Sequence, residues 1–135
     1  MQDQFNTVAS VMEIFEDGTK RWFRNGELHR EDGPAVELED GSKMWYRNNE
    51  WHREDGPAIE DAGDGSKSWF LNGQLHREDG PAIEYADGSS SGWFRNGMLL
   101  NDSEVAVIQE VASIKQGLPH AITVSRPLRL RLRKN

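Results

Sequence analysis

Residues 29–35 read His-Arg-Glu-Asp-Gly-Pro-Ala, and the same heptapeptide returns without a substitution at residues 52–58 and 76–82. Aligning the copies on the Asp-Gly pair that precedes each divides the chain into units of 23 or 24 residues. Exact self-similarity at such a period is typical of repeat proteins, in which neighbouring units stack and share one core. The heptapeptide therefore predicts architecture first and chemistry second. The units are residues 17–39, 40–63, 64–86 and a degenerate 87–101 that lacks the heptapeptide.

Each unit contains a short segment that ends in two aromatic or apolar residues and a tight turn. Asn25-Gly26 is the first of these turns, and Asn-Gly recurs at 72–73 and 96–97. Asn and Gly tolerate the positive φ angles that a two-residue type I′ hairpin needs at both central positions. Asn48-Asn49 replaces the pair in the second unit, where we expect the hairpin to survive with slightly higher strain.

A two-residue loop fixes which side chains face each other across the hairpin. Phe23 then opposes Leu28 and Trp22 opposes His29, with successive pairs on opposite faces of the ribbon. The large apolar pairs predict the interior: Phe23/Leu28, Tyr46/Trp51, Phe70/Leu75 and Phe94/Leu99. The other face collects Trp22/His29, Trp45/His52 and Trp69/His76, and the fourth unit changes this pair to Trp93/Leu100.

After residue 101 the pattern changes to that of a helix from about 103 to 116, with Asp102 or Ser103 as N-cap and Gly117 as a stop signal. Because Leu100 replaces His just before it, we interpret residues 102–117 as a helix that caps the stack. Residues 1–16 are expected to form an N-terminal strand or cap. The predicted fold is mainly β: a single-layer antiparallel hairpin-repeat sheet, a capping helix and a final strand.

The charge of the chain is unevenly distributed. Residues 1–119 hold 11 Lys/Arg and 23 Asp/Glu, a net −12, whereas residues 120–135 hold five cations and no acid, which gives the total of −7. Within the basic tail of residues 118–135, residues 128–133 alternate leucine with Arg129, Arg131 and Arg133. This pattern fits an edge strand, an arm for an acidic partner or nucleic acid, or a disordered tail. The acidic body argues against a nucleic-acid platform, which needs many cationic contacts.

The spacing aromatic-x-Asn-Gly-x-x-His, at Phe23 to His29 and Phe70 to His76, resembles the MORN repeat, with Tyr46 to His52 as a variant. The resemblance covers about residues 17–100 and is greatest to MORN-like variants of bacterial and phage reading frames. Standard units place Gly-x-Gly after the histidine, where this chain has Arg-Glu-Asp-Gly-Pro. The resemblance implies a β-solenoid of hairpins with scaffolding, protein-binding, dimerisation or lipid-associating roles, none of them catalytic.

The His-x-Glu-Asp cluster of the heptapeptide has the residue types of a metal or acid–base site. Three identical copies argue for a structural role instead, because an active site needs one arrangement. We expect Asp32, Asp55 and Asp79 to accept backbone N–H groups in turns. We expect Arg30, Arg53 and Arg77 to pair with carboxylates of their own or the next unit. No catalytic residue, metal site or cofactor is predicted.

The sequence thus predicts a non-enzymatic module that binds a protein partner, in the cytoplasm of a bacterium or an infected host. No signal peptide or membrane span is expected, and no cysteine is present. The alternatives are a phage-encoded inhibitor of a host defence complex, which mimics nucleic acid through its acidic body, attachment to lipid or nucleic acid through the tail, and self-assembly. The candidate binding residues are Trp22, His29, Trp45, His52, Trp69, His76, Arg129, Arg131 and Arg133.

Overall fold

The computed structural model describes residues 9–117, which are mainly β with one C-terminal helix, as the sequence predicts. The chain divides into two compact units, Met1–Leu99 and Leu100–Asn135. Of the elements in residues 9–117, the strands all lie in the first unit and the helix lies in the second. The predicted tail of residues 118–135, with its three candidate arginines, lies outside the described residues.

The described part of the first unit contains fourteen short strands. They are β1 Val11–Ile14, β2 Lys20–Arg24, β3 Glu27–Leu28, β4 Val36–Glu37, β5 Lys43–Met44, β6 Tyr46–Arg47, β7 Glu50–Trp51, β8 Ile59–Glu60, β9 Lys67–Ser68, β10 Phe70–Leu71, β11 Gln74–Leu75, β12 Ile83–Glu84, β13 Phe94–Arg95 and β14 Met98–Leu99. All of their pairings are antiparallel.

One sheet runs through the full repeats in the order β1-β2-β4-β5-β8-β9-β12, with β3 paired to β2. Each full repeat contributes two strands to this order: β2 and β4, then β5 and β8, then β9 and β12. The later hairpins, β6-β7, β10-β11 and β13-β14, are separate two-stranded sheets. Equivalent residues of successive repeats therefore lie two strands apart.

The hairpin turns have the backbone that the Asn-Gly pairs predict. Asn25 and Gly26 have φ angles of 53° and 79°, and the predicted register of Phe23 opposite Leu28 is confirmed. Asn48 and Asn49 adopt 49° and 69°, so the second hairpin forms despite lacking glycine.

A different type of turn links each repeat to the next. The carboxylate of Asp17 accepts the backbone N–H of Thr19 at 2.9 Å, and Asp40 accepts that of Ser42 at 2.8 Å. The same Asx turn recurs at Asp64 and Asp87. Hydrogen bonds to the ionised form lower the pKa of all four carboxyls.

The buried apolar residues are smaller than the sequence predicts. Ala35, Ala58 and Ala82, the last residues of the three heptapeptides, are completely buried. The predicted interior pairs are only half-buried at Phe23 and Leu28, and Leu99 is largely exposed. The predicted interior was therefore wrong in part, since its large side chains stay partly open to solvent while the methyl groups of the alanines are fully covered.

The helix of the second unit, α1, spans Asp102–Lys115 and is confirmed to within one residue of the prediction. Its N-cap is Asn101 rather than Asp102 or Ser103. Asn101 Oδ1 accepts the Glu104 N–H at 2.8 Å, and Glu104 Oε1 accepts the Asn101 N–H at 2.9 Å, which forms a capping box. Gly117, with φ of 72°, follows the helix as predicted. That the helix caps the stack of repeats stays a prediction. Among residues 9–117, no helix is long and apolar enough to cross a membrane.

Candidate binding surface

The heptapeptide folds into a loop organised by its arginine. Arg30 donates from Nε to Asp32 Oδ1 at 3.0 Å and from Nη1 to the Pro34 carbonyl oxygen at 3.0 Å. A longer contact of 3.4 Å joins Nη1 to Glu37 Oε2 in β4. The guanidinium lies 3.9 Å above the ring of Trp22, which is a cation–π contact. One side chain therefore closes the loop and covers the tryptophan.

The other two copies repeat this geometry closely. Arg53 lies 3.8 Å above Trp45 and Arg77 lies 3.7 Å above Trp69. Their Nε atoms donate to Asp55 and Asp79 at 3.1 Å in both loops. The expected arginine–carboxylate pairing is thus confirmed. The role expected for the loop aspartates was wrong, because the hydrogen bond that each accepts comes from arginine Nε and not from a backbone N–H. A hydrogen bond from the planar guanidinium group satisfies a carboxylate oxygen as well as a bond from a backbone N–H would.

The histidines join one repeat to the next. His29 is the largest fully buried side chain, and its Nδ1 accepts the backbone N–H of Asn48 in the following hairpin at 3.1 Å. His52 and His76 accept from Asn72 and Asn96 at 2.9 and 3.0 Å. Each histidine thus forms a hydrogen bond with the next repeat. An Nδ1 that accepts carries no proton, so the neutral ring holds its proton on Nε2.

The Nε2 atom of each histidine faces a carboxylate of its own loop. The distances are 2.6 Å from His29 to Glu31, 3.2 Å from His52 to Glu54 and 2.6 Å from His76 to Glu78. The hydrogen bond from His29, assisted by the charge of Arg24, lowers the pKa of Glu31. Glu31 consequently stays ionised at neutral pH.

The carboxylates form the outermost layer of the three loops. Side chains of Asp32, Asp55 and Asp79 are 80 to 88% exposed, and those of Glu31, Glu54 and Glu78 are 66 to 73% exposed. The stacking arginines are only 19 to 22% exposed. A molecule that approaches this surface therefore meets negative charge first, and we call this layer the acidic rim.

Two open grooves lie between successive loops of the first unit. The groove between the first and second loops measures about 710 Å³ and has Trp45 in its lining. The groove between the second and third loops measures about 530 Å³ and has Trp69 in the equivalent place. Arg53 lines both, and acidic-rim residues of the flanking loops line each. The repeat thus builds the same concave surface twice.

The structure brings six of the nine candidate binding residues together on these repeats. The tryptophans are half-buried, as is His52, while His29 and His76 are buried. Both ring nitrogens of all three histidines are engaged. Sequence reasoning missed the arginines that cover the tryptophans and the exposed carboxylates around them. Their invariance across the three heptapeptides was the available signal, since every copy keeps the charged Arg-Glu-Asp core.

Within residues 9–117, no group of three or more His, Asp or Glu side chains is arranged to hold a metal ion. Comparison with known proteins finds no match for this chain among protein-family models, curated proteins or solved structures. The geometry of the surface is therefore the basis for a functional argument.

Proposed function

We propose that this protein is a non-enzymatic binding module that holds a basic polypeptide segment of a protein partner in the grooves between its loops. The observation that carries the proposal is the repeated groove, with a tryptophan in its lining and carboxylates on its rim. The MORN-like repeat pattern supports the same role. Tryptophan is among the residues most enriched at the energetic centres of protein interfaces.

The charge of the surface selects the chemistry of the partner. Each loop exposes two carboxylates, while its stacking arginine is engaged with Asp, Glu and Trp side chains. A second arginine pairs with the glutamate of each loop, so that the aspartates carry most of the unpaired negative charge; these arginines are Arg24, Arg47 and Arg95. The net charge of −12 over residues 1–119 adds a long-range field that attracts cations and repels anions. A lysine- or arginine-rich segment is therefore favoured over an acidic one.

The identical loops also favour binding over catalysis. A catalytic site needs groups placed differently around one reacting atom, whereas these loops present the same groups in the same order. Multiple equal contacts along one surface suit an extended partner, because contacts that are weak singly add together once the segment is held.

Binding of labelled octa-arginine and octa-glutamate to the full-length protein, measured by fluorescence anisotropy at two salt concentrations, tests the proposal. We expect octa-arginine to bind, more weakly in high salt, and octa-glutamate not to bind. The variant Asp55→Asn/Asp79→Asn keeps the oxygen that accepts from arginine Nε but removes two rim charges. Its affinity for octa-arginine should fall about two- to thirtyfold, at roughly 0.2–1 kcal/mol per exposed contact.

The matched control is Glu16→Gln/Glu39→Gln, which removes two exposed charges that line neither groove. If both double variants weaken octa-arginine equally, the attraction is general and the grooves are not the binding site. Equal binding of the two peptides would likewise overturn the proposal.

A further inference from the structure

The spacing of the loops carries information about the conformation of the partner. Each full repeat adds two strands to the shared sheet, and neighbouring strands are about 4.7–4.9 Å apart, so equivalent residues recur about every 9.6 Å. The loops keep this spacing because each is tied to the next hairpin in the same way. Backbone N–H groups of Arg30, Arg53 and Arg77 donate to the carbonyls of Tyr46, Phe70 and Phe94 at 3.4, 3.2 and 3.0 Å.

The regular polypeptide conformations match this spacing to different degrees. A polyproline II helix has three residues per turn and rises about 3.1 Å per residue, so every third side chain points the same way at intervals of about 9.3 Å. In a β-strand, side chains on the same face are two residues and about 6.7 Å apart, so every second one of them is about 13 Å apart. An α-helix repeats a face after seven residues, at about 10.5 Å.

We propose that the grooves bind a polyproline II segment that carries a basic side chain at every third position. This inference rests on the proposed function and deepens it by naming the form of the partner. Across three loops the polyproline II spacing departs from the loop spacing by about 0.6 Å in total, against about 1.8 Å for an α-helix. Each cation meets the rim of one loop, and the residues between cations lie over the grooves.

The lining of the grooves fits such a segment chemically. Polyproline II helices dock in aromatic-lined grooves and lose little conformational entropy on binding, because they are already extended in solution. Trp45 and Trp69 each line one groove, one repeat apart, and each contributes the part of its ring that the stacked arginine leaves open. Asp55 and Glu54, which line both grooves, supply negative charge between them.

Two synthetic peptides of identical composition test the inference on the full-length protein. One is (Arg-Pro-Pro)₄, with arginines three residues apart, and the other is Arg₄Pro₈, with the arginines contiguous. Both have the same charge and length, so only the spacing of the cations differs. We expect (Arg-Pro-Pro)₄ to bind about threefold or more tightly, since it aligns at least one or two further exposed ion pairs. Asp55→Asn/Asp79→Asn should reduce this preference.

The outcomes separate this inference from the proposed function. If Arg₄Pro₈ binds as tightly as its isomer, spacing is not recognised, and the module is a general binder of cationic segments. If octa-arginine binds and neither proline peptide does, the polyproline II conformation is wrong while the binding role stands. If none of the three binds, both proposals fail.

Discussion

Replacing His29 with leucine tests whether the buried histidine couples the repeats. The substitution copies what the chain itself has at Leu100, the equivalent position of the fourth unit. It removes the acceptor of the Asn48 N–H, 3.1 Å from Nδ1, and the contact with Glu31. A net hydrogen bond contributes about 0.5–1.5 kcal/mol, and a donor left without a partner costs about 1–3 kcal/mol. Since leucine recovers some apolar contact, we expect a loss of about 1–2 kcal/mol in the free energy of unfolding.

Urea unfolding followed by tryptophan fluorescence measures this loss, and hydrogen exchange locates it. The Asn48 amide should exchange faster in His29→Leu, while the Asn96 amide, which is bonded to His76, should change little. The matched control is His52→Leu, whose histidine side chain is 8% exposed against 1% for His29, so its loss should be smaller. A change below about 0.5 kcal/mol in His29→Leu, with unaltered exchange at Asn48, would refute the coupling role.

Three further predictions follow from the loops and turns. Arg53→Lys keeps the charge but loses the planar group over Trp45, and should lower the free energy of unfolding by about 0.5–1.5 kcal/mol in urea titration; an unchanged midpoint would contradict the stacking argument. Asn49→Gly should not stabilise the protein in thermal unfolding despite relieving a positive φ, because Asn49 Oδ1 accepts the Leu28 N–H at 2.7 Å; a raised melting temperature would show that this bond contributes nothing. The Asx-turn aspartates have lowered pKa values, so their stabilisation is complete above their ordinary pKa of 3.8 and disappears as the pH falls through the lowered values. Urea midpoints at pH 5 and pH 2.5 should therefore differ less in a variant that carries asparagine at all four positions than in the natural chain. An equal difference would show that ionisation of these four carboxyls does not contribute to stability. The four positions are Asp17, Asp40, Asp64 and Asp87.

The hairpins and their register could be predicted from sequence because their causes are local. Positive φ at Asn25 and Gly26 is a property of those two residues, and a two-residue loop leaves only one register for Phe23 and Leu28. The helix was predictable for the same reason, although its N-cap was misplaced by one or two residues. Asn101, Asp102 and Ser103 are all good N-caps, and only the reciprocal bond with Glu104 selects the first.

The candidate site was predicted less completely, because its contacts depend on how each loop folds back over its strand, which the preferences of single residues do not determine. Trp22 and His29 were placed on one face correctly, since His29 N–H donates to the Trp22 carbonyl at 3.0 Å. The stack of Arg30 on Trp22 depends on how the loop folds back over the strand. Without that contact, sequence reasoning assigned the aromatic face to tryptophan and histidine alone and left the arginine on the surface.

The sequence by itself determined the repeat, its turns and its antiparallel strands, because exact recurrence of residues with special backbone preferences leaves few conformations open. The tertiary structure decided what each repeated side chain of the heptapeptide does. It buried the histidine under the next repeat, laid the arginine over the tryptophan and turned the carboxylates outward. The role of the histidine depends on stacking one repeat against another, because its acceptor atom binds a backbone N–H of the next hairpin. The arginine and the carboxylates take their places within one repeat, where the charged groups keep access to water.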